Sequence, residues 1–212
     1  MLVPRLPLAE LILDGFRPWR DFGPPGGRLP RALDMCTGCG CIAIATAHYL
    51  PRVQVDAVDI SREALAVAAR NVRRHGLADR VRLIRSDLFQ SLPACRYDLI
   101  LANPPYLPQS ELPELPPEYR AEPDLGLVSG ADGLDAVLQI LARAPDFLAE
   151  DGILVCEVGE SEGRLAAAMP ALPFLWLEFV HGGSGVFLLE RGELVAARPA
   201  LDALIGERKH VA

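Results

Sequence analysis

Aromatic side chains are scarce in this sequence, at 6% of 212 residues, although hydrophobic residues make up 50%. The core is therefore expected to be aliphatic, and the hydrophobic content excludes a disordered chain. No uninterrupted apolar stretch is long enough to span a bilayer. The first ten residues are apolar but broken by Pro4, Arg5, Pro7 and Glu10, which makes a poor signal peptide. A cytoplasmic location is expected. Cations are outnumbered, 21 Lys and Arg against 28 Asp and Glu, and the formal charge is −7. That balance argues against strong nucleic-acid binding, which leans on clustered Lys and Arg. Arg70, Arg73, Arg74 and His75 close a predicted helix, where cations complement the helix dipole on a solvated face.

Metal ligands are also lacking. His48, His75, His181 and His210 are scattered, and none sits in a motif. Of the five cysteines, Cys36 and Cys39 form a C-x-x-C, with Cys41 following and Cys95 and Cys156 far away. No second C-x-x-C or His pair completes a four-ligand zinc site. Three small reduced thiols in a glycine turn are expected, and no metal.

What is present is a regular alternation. Residues 7–14 read as a short amphipathic helix with Leu8, Leu11 and Ile12 on one face, followed by a Gly/Pro connector at 23–27. Strands are expected at 32–35, 53–58, 81–84, 98–102, 153–157, 175–179 and 186–189, and helices at 41–50, 61–75, 134–149 and 161–169. Such alternation predicts an α/β fold with a mostly parallel seven-stranded sheet and helices on both faces. The connector 181–185, His-Gly-Gly-Ser-Gly, reads as a tight hairpin, so an antiparallel edge strand is expected. Residues 104–132 form a long Pro/Gly-rich insertion of the kind that serves as a substrate lid. From Gly192 onward a tail or marginal helix is expected.

Chemistry concentrates at the ends of the first four strands. Asp34 leads into a turn containing Gly38 and Gly40, which allow close backbone approach beside a helix N-terminus. Asp59 follows about twenty positions later, the spacing of an acid that grips ribose hydroxyls, and Ser61 then caps the next helix. Asp87 suits an adenine amino group, with Leu88 or Phe89 flanking the ring. The fourth strand runs into Asn103-Pro104-Pro105-Tyr106. Two prolines fix φ and remove two donors, leaving a rigid set of acceptors: the Asn103 side-chain oxygen, a proline carbonyl and an aromatic face. That set suits a planar amino group and points to methylation of an amide or a base amine.

With these motifs in order, the chain resembles the class I S-adenosylmethionine-dependent methyltransferases, whose fold is Rossmann-like. Asp34-x-x-Thr37-Gly38-Cys39-Gly40 is similar to that family's first motif, and Asn103–Tyr106 to its amino-methylating subset. Val3–Ile12, Leu115–Pro123, Gly130–Asp135 and Glu178–Gly183 resemble the PrmB group of protein-glutamine methyltransferases. Leu6 and Cys39 stand where those proteins usually carry Ser.

The resemblance implies methylation of a glutamine side-chain amide in the third protein of the large ribosomal subunit, using S-adenosyl-L-methionine and no metal. It implies cofactor contacts at Asp34, Thr37, Gly38, Gly40, Asp59, Ile60, Asp87, Leu88 and Asn103. Catalysis would fall to Asn103, Pro104 and Tyr106, and substrate binding to Asn103, Pro104, Pro105 and Tyr106. It also implies a division into 1–30, the border of a helical recognition domain, a methyltransferase domain at 31–191 with its lid at 104–132, and a tail at 192–212. The expected partner is a protein substrate, with no membrane, and the chain is expected to be a monomer. Competing readings are a release-factor methyltransferase, a nucleic-acid amino methyltransferase, and a cofactor-binding subunit or inactive fragment.

Overall fold

The computed structural model describes residues 7–22, 28–115 and 124–211. Seven strands form one sheet in the order β3-β2-β1-β4-β5-β7-β6. They are β1 (Arg31–Met35), β2 (Gln54–Asp59), β3 (Val81–Arg85), β4 (Tyr97–Ala102), β5 (Leu148–Glu157), β6 (Leu175–Trp176) and β7 (Val186–Glu190). The helices are α1 (Leu8–Leu13), α2 (Cys41–Tyr49), α3 (Arg62–Arg74), α4 (Asp135–Phe147), α5 (Glu162–Ala168) and α6 (Arg191–Val211). None among the described residues is long and apolar enough to cross a membrane.

The strands alternate between two buried faces. Leu33, Met35, Ile100, Ala102, Leu154 and Cys156 face a layer containing α4, α5 and α6. Ala32, Leu99, Leu101, Ile153 and Val155 face α1, α2 and α3. A central strand hydrophobic on both sides explains why β4 is buried at every position. The polar residues in these strands are paired. Asp56 accepts from Arg31, Arg82 and the Tyr97 hydroxyl, and Asp98 accepts from Arg20, Arg28 and the Arg31 amide.

The chain runs β1-β2-β3 in one direction from the centre and β4 onward in the other. The switch point lies between β1 and β4, which pair in parallel with Met35 opposite Ala102. Open α/β sheets bind ligands beyond the carboxyl ends of the strands at such a point. The glycine turn after β1 and the Asn-Pro-Pro-Tyr segment after β4 therefore emerge side by side.

Three details differ from expectation. The strand that runs against the others is β7, one position in from the edge, and the edge is β6. That edge strand is shorter than 175–179, and beyond it the Val180 and His181 amides donate to the Glu10 carboxylate on α1 at 3.0 and 2.9 Å. Instead of a tail or marginal helix from Gly192, the structure has the 21-residue α6. Leu194, Ala197 and Leu201 recur on one helical face and are buried in the core. Gly192, Pro199 and Gly206 lower the intrinsic helix propensity of this segment, and packing overrides it. The end of α6 is tied down by Arg208, which donates to Asp132 and Asp135 at the entry to α4.

The 104–132 insertion is described on both sides of residues 116–123. A 3-10 turn covers Gln109–Glu114, and Leu107 bridges Val128 on the return. Most of the Leu115–Pro123 stretch, Leu6 and the 23–27 connector lie outside the described residues.

Candidate active site

The turn after β1 is built over Asp34. Its carboxyl, fully buried, accepts from Thr37 Oγ1 at 2.5 Å and from the Ala43 amide at 3.0 Å. Burial pushes this carboxyl up to about 7, and among the described residues its Oδ1 has no hydrogen-bond partner. Asp34 thus ties the turn to the first turn of α2 from beneath. Gly38 and Gly40 adopt φ of 55° and 84°. Gly40 has a packing reason as well, since a Cβ there would lie 3.2 Å from the Ala68 Cβ on α3. The neighbouring Cys41 thiol lowers the Cys39 thiol to about 6, while Cys41 itself is pushed up. Among the described residues no group of three or more His, Cys, Asp or Glu could hold a metal ion.

Asp59, at the end of β2, has each carboxylate oxygen fixed by a backbone amide. The Gly38 amide donates at 2.8 Å and the Ser61 amide at 2.9 Å. This presents the acid's remaining lone pairs next to the glycine turn. Ile60 beside it is 40% exposed, an apolar side chain left open at the strand ends. After β3, Asp87 is exposed and accepts from Gln90 Nε2 at 2.7 Å. Leu88 sits at φ 44°, half-buried. Phe89 is corrected as a candidate ring neighbour: it is buried and stacks on Phe147 of α4, with centroids 4.8 Å apart.

Asn103 and Tyr106 are half-buried and Pro104 is buried. Among the described residues, the Asn103 side chain has no hydrogen-bond partner. Tyr106 is held firmly. Its carbonyl accepts from Ser161 Oγ at 2.7 Å, and a Cβ on Gly133 would lie 2.2 Å from that same oxygen. A Cβ on Gly159 would lie 2.9 Å from its ring. Gly159 and Ser161 were not singled out from sequence, and Gly133 entered only within the Gly130–Asp135 stretch. The only local hint was a glycine-rich stretch after a strand, which does not say what the glycines touch.

Glu157 closes β5. Because Ala102 pairs with Cys156, Glu157 at the end of β5 stands level with Asn103 just after β4. Its Oε2 is buried without a hydrogen-bond partner among the described residues, and burial pushes the carboxyl up to about 7.

Residues 27–114 match the family model "Methyltransferase small domain". The chain is 53% identical over 209 residues to the "Ribosomal protein uL3 glutamine methyltransferase" of Xanthomonas campestris pv. campestris, covering 98% of this chain and 66% of that protein. It is 49% identical over 195 residues to the protein of the same name from Bordetella pertussis, covering 92% of this chain and 64% of that one. The chain thus spans just under two thirds of the length of these relatives. Among solved structures, a human methyltransferase 10 domain containing protein superposes with a TM-score of 0.60 at 18% identity, covering 89% of this chain and 84% of that chain. A Pyrococcus furiosus methyltransferase gives 0.60 at 18% identity, covering 90% and 87%. At that identity the likeness concerns the fold alone. The chain thus shares the fold of these solved methyltransferases, and over 98% of its length its sequence is similar to a protein named as a uL3 glutamine methyltransferase.

Proposed function

We propose that this chain carries out S-adenosyl-L-methionine-dependent methylation of a glutamine side-chain amide nitrogen in a cytoplasmic protein, the large-subunit ribosomal protein uL3. The observation that carries the reading is the rigid acceptor set Asn103–Tyr106, standing across the switch point from a glycine turn and a backbone-oriented acid. The names of relatives at about half identity support uL3 as the substrate.

The residues present fit the cofactor. Gly38 and Gly40 keep the turn open to close approach, with Thr37 and Asp34 bracing it from below. Asp59 is the ribose acceptor. Ile60 and Leu88 offer apolar surface to the base, and exposed Asp87 is the acceptor for its amino group. Asn103 stands where the cofactor and substrate sides meet. The cofactor supplies an activated methyl group.

An amide nitrogen is a weak nucleophile because its lone pair is delocalised into the carbonyl. Asn103 Oδ1 and the Pro104 carbonyl accept the two amide N–H bonds, which fixes the nitrogen in position. The same acceptors stabilise the positive charge that develops on nitrogen, a preorganised electrostatic effect more than general-base catalysis. Tyr106 walls the glutamine side chain, with Pro105 stiffening the span between them. The nitrogen proton leaves after transfer, so no histidine is needed.

The test is mass spectrometry of unmethylated uL3 incubated with this chain and the cofactor, with Asn103→Ala beside it. One added methyl mapped to a glutamine, absent in the variant, is the expected result. Cofactor binding with no methyl on uL3 overturns the substrate; a methyl retained by Asn103→Ala overturns the acceptor site.

A further inference from the structure

The Asn103–Tyr106 segment is anchored at one end by the β4 ladder. The prolines at 104 and 105 fix two φ angles, so little freedom remains once the other end is held. That other end is the Tyr106 carbonyl, and its partner is a side chain well removed in sequence. Ser161 is fully buried at the entry to α5, and its hydroxyl does two jobs. It donates to the Tyr106 carbonyl at 2.7 Å and accepts from Arg164 Nη2 at 2.9 Å. Arg164 Nη1 in turn donates to Glu111 Oε1 in the lid at 3.0 Å. A cationic donor on the serine oxygen polarises its O–H and strengthens the bond that the O–H makes.

We infer that Ser161 and Arg164 are positioning residues for methyl transfer: through the Tyr106 carbonyl they set the place of the Pro104 and Asn103 acceptors. The inference rests on the proposed function. Neither residue reaches the reacting atoms; both act through Tyr106. The Arg164–Glu111 pair is about a third exposed on each side, 36% and 37%, so it contributes little by itself. The buried hydroxyl is the part that matters. Without it the Tyr106 carbonyl loses the 2.7 Å bond from Ser161 and the acceptor segment gains freedom at its far end.

The experiment uses the full chain with Ser161→Ala, Ser161→Thr, Arg164→Gln and Glu111→Gln. Ser161→Ala removes one oxygen and leaves room for the same fold. It should lower kcat by about ten- to a hundredfold, the scale of sub-ångström to 1 Å misplacement of reacting groups. KM for the protein substrate and cofactor affinity should stay within about twofold. Ser161→Thr, which keeps the hydroxyl, should recover most of the rate. Arg164→Gln should fall between, and Glu111→Gln should stay near the unmodified chain. A second readout needs no turnover: hydrogen exchange at the Leu107 amide, which donates to Leu127 and adjoins Tyr106. It should speed up in Ser161→Ala and Arg164→Gln and not in Ser161→Thr. Unchanged exchange in Ser161→Ala, or a loss of rate matched by an equal loss of cofactor affinity, overturns the inference. If the unmodified chain transfers no methyl, the proposed function fails, and the exchange measurement still decides whether Ser161 fixes the segment.

Discussion

The ring of Tyr106 lies directly over the backbone of Gly159, so close that a Cβ at position 159 would sit 2.9 Å from two ring carbons and 3.1 Å from the hydroxyl oxygen. Gly159 also holds φ at 49°. Any side chain there meets both the ring and the cost of a left-handed backbone, roughly 1–2 kcal/mol. Gly159→Ala is therefore expected to displace Tyr106, lower kcat by about tenfold or more, and leave cofactor affinity nearly unchanged. Kinetics beside calorimetric cofactor binding would check it. A variant with normal kcat would show that the ring's place does not matter.

Asn103→Ala should remove transfer almost completely, by roughly two or more orders of magnitude, because one of two preorganised acceptors is lost. Cofactor affinity should stay close to normal. Equal loss of rate and affinity would mean that Asn103 holds the cofactor and not the amide.

Asp59→Asn separates the two halves of the site. Its carboxylate is oriented by the Gly38 and Ser61 amides, and the amide replacement keeps one acceptor while placing an NH2 group against a backbone donor. Cofactor affinity should weaken by about tenfold or more, the size of one or two hydrogen bonds to a charged group. The methyl acceptor geometry should be untouched, so kcat at saturating cofactor should fall far less. Isothermal titration and saturation kinetics on the same sample distinguish these effects.

Glu157 gives a pH-dependent stability. Its carboxyl is raised from 4.5 to about 7 by burial, so the folded chain binds this proton more tightly than the unfolded chain. Stability from this group is therefore present at low pH and is lost as pH rises toward and through about 7. Glu157→Gln, which cannot ionise, should raise Tm clearly at pH 8.5 and much less at pH 5. The same Tm change at both pH values would show that burial does not shift this carboxyl.

Asp98 has the opposite sign. Burial opposes its charge, but hydrogen bonds from Arg28, the Arg31 amide and Arg20 outweigh it and hold the carboxyl below its ordinary value. Its stabilisation is present above the unfolded pKa and is lost as pH falls through the lower folded value. Asp98→Asn leaves Arg20, 11% exposed, and the mostly exposed Arg28 without their counter-charge and should cost about 1–3 kcal/mol near neutral pH. The penalty should shrink in strong acid, as followed by urea unfolding across pH.

Much of this fold was legible in the sequence. The aliphatic runs of β1, β2, β4 and β5 and the periodicity of α3 carry their own secondary-structure signal, because burial on one or two faces demands it. Gly38, Asp59, Asp87 and Asn103 each stood at a predicted strand end, and parallel strands in register must bring such ends to one edge. The glycines and prolines of the turn and the acceptor segment were readable for a related reason: their backbone constraints are local. Other features belonged to tertiary structure alone. Residues 191–211 carry weak helix propensity, and only burial of Leu194 and Leu201 makes them a helix. Phe89 could have faced a ligand, and stacking on Phe147 turned it inward. That Ser161 bonds the Tyr106 carbonyl, and that Gly159 lies under its ring, follows from no pattern in the chain. These contacts join segments more than fifty residues apart, and only the packing of β5 and α5 against β4 brings them together.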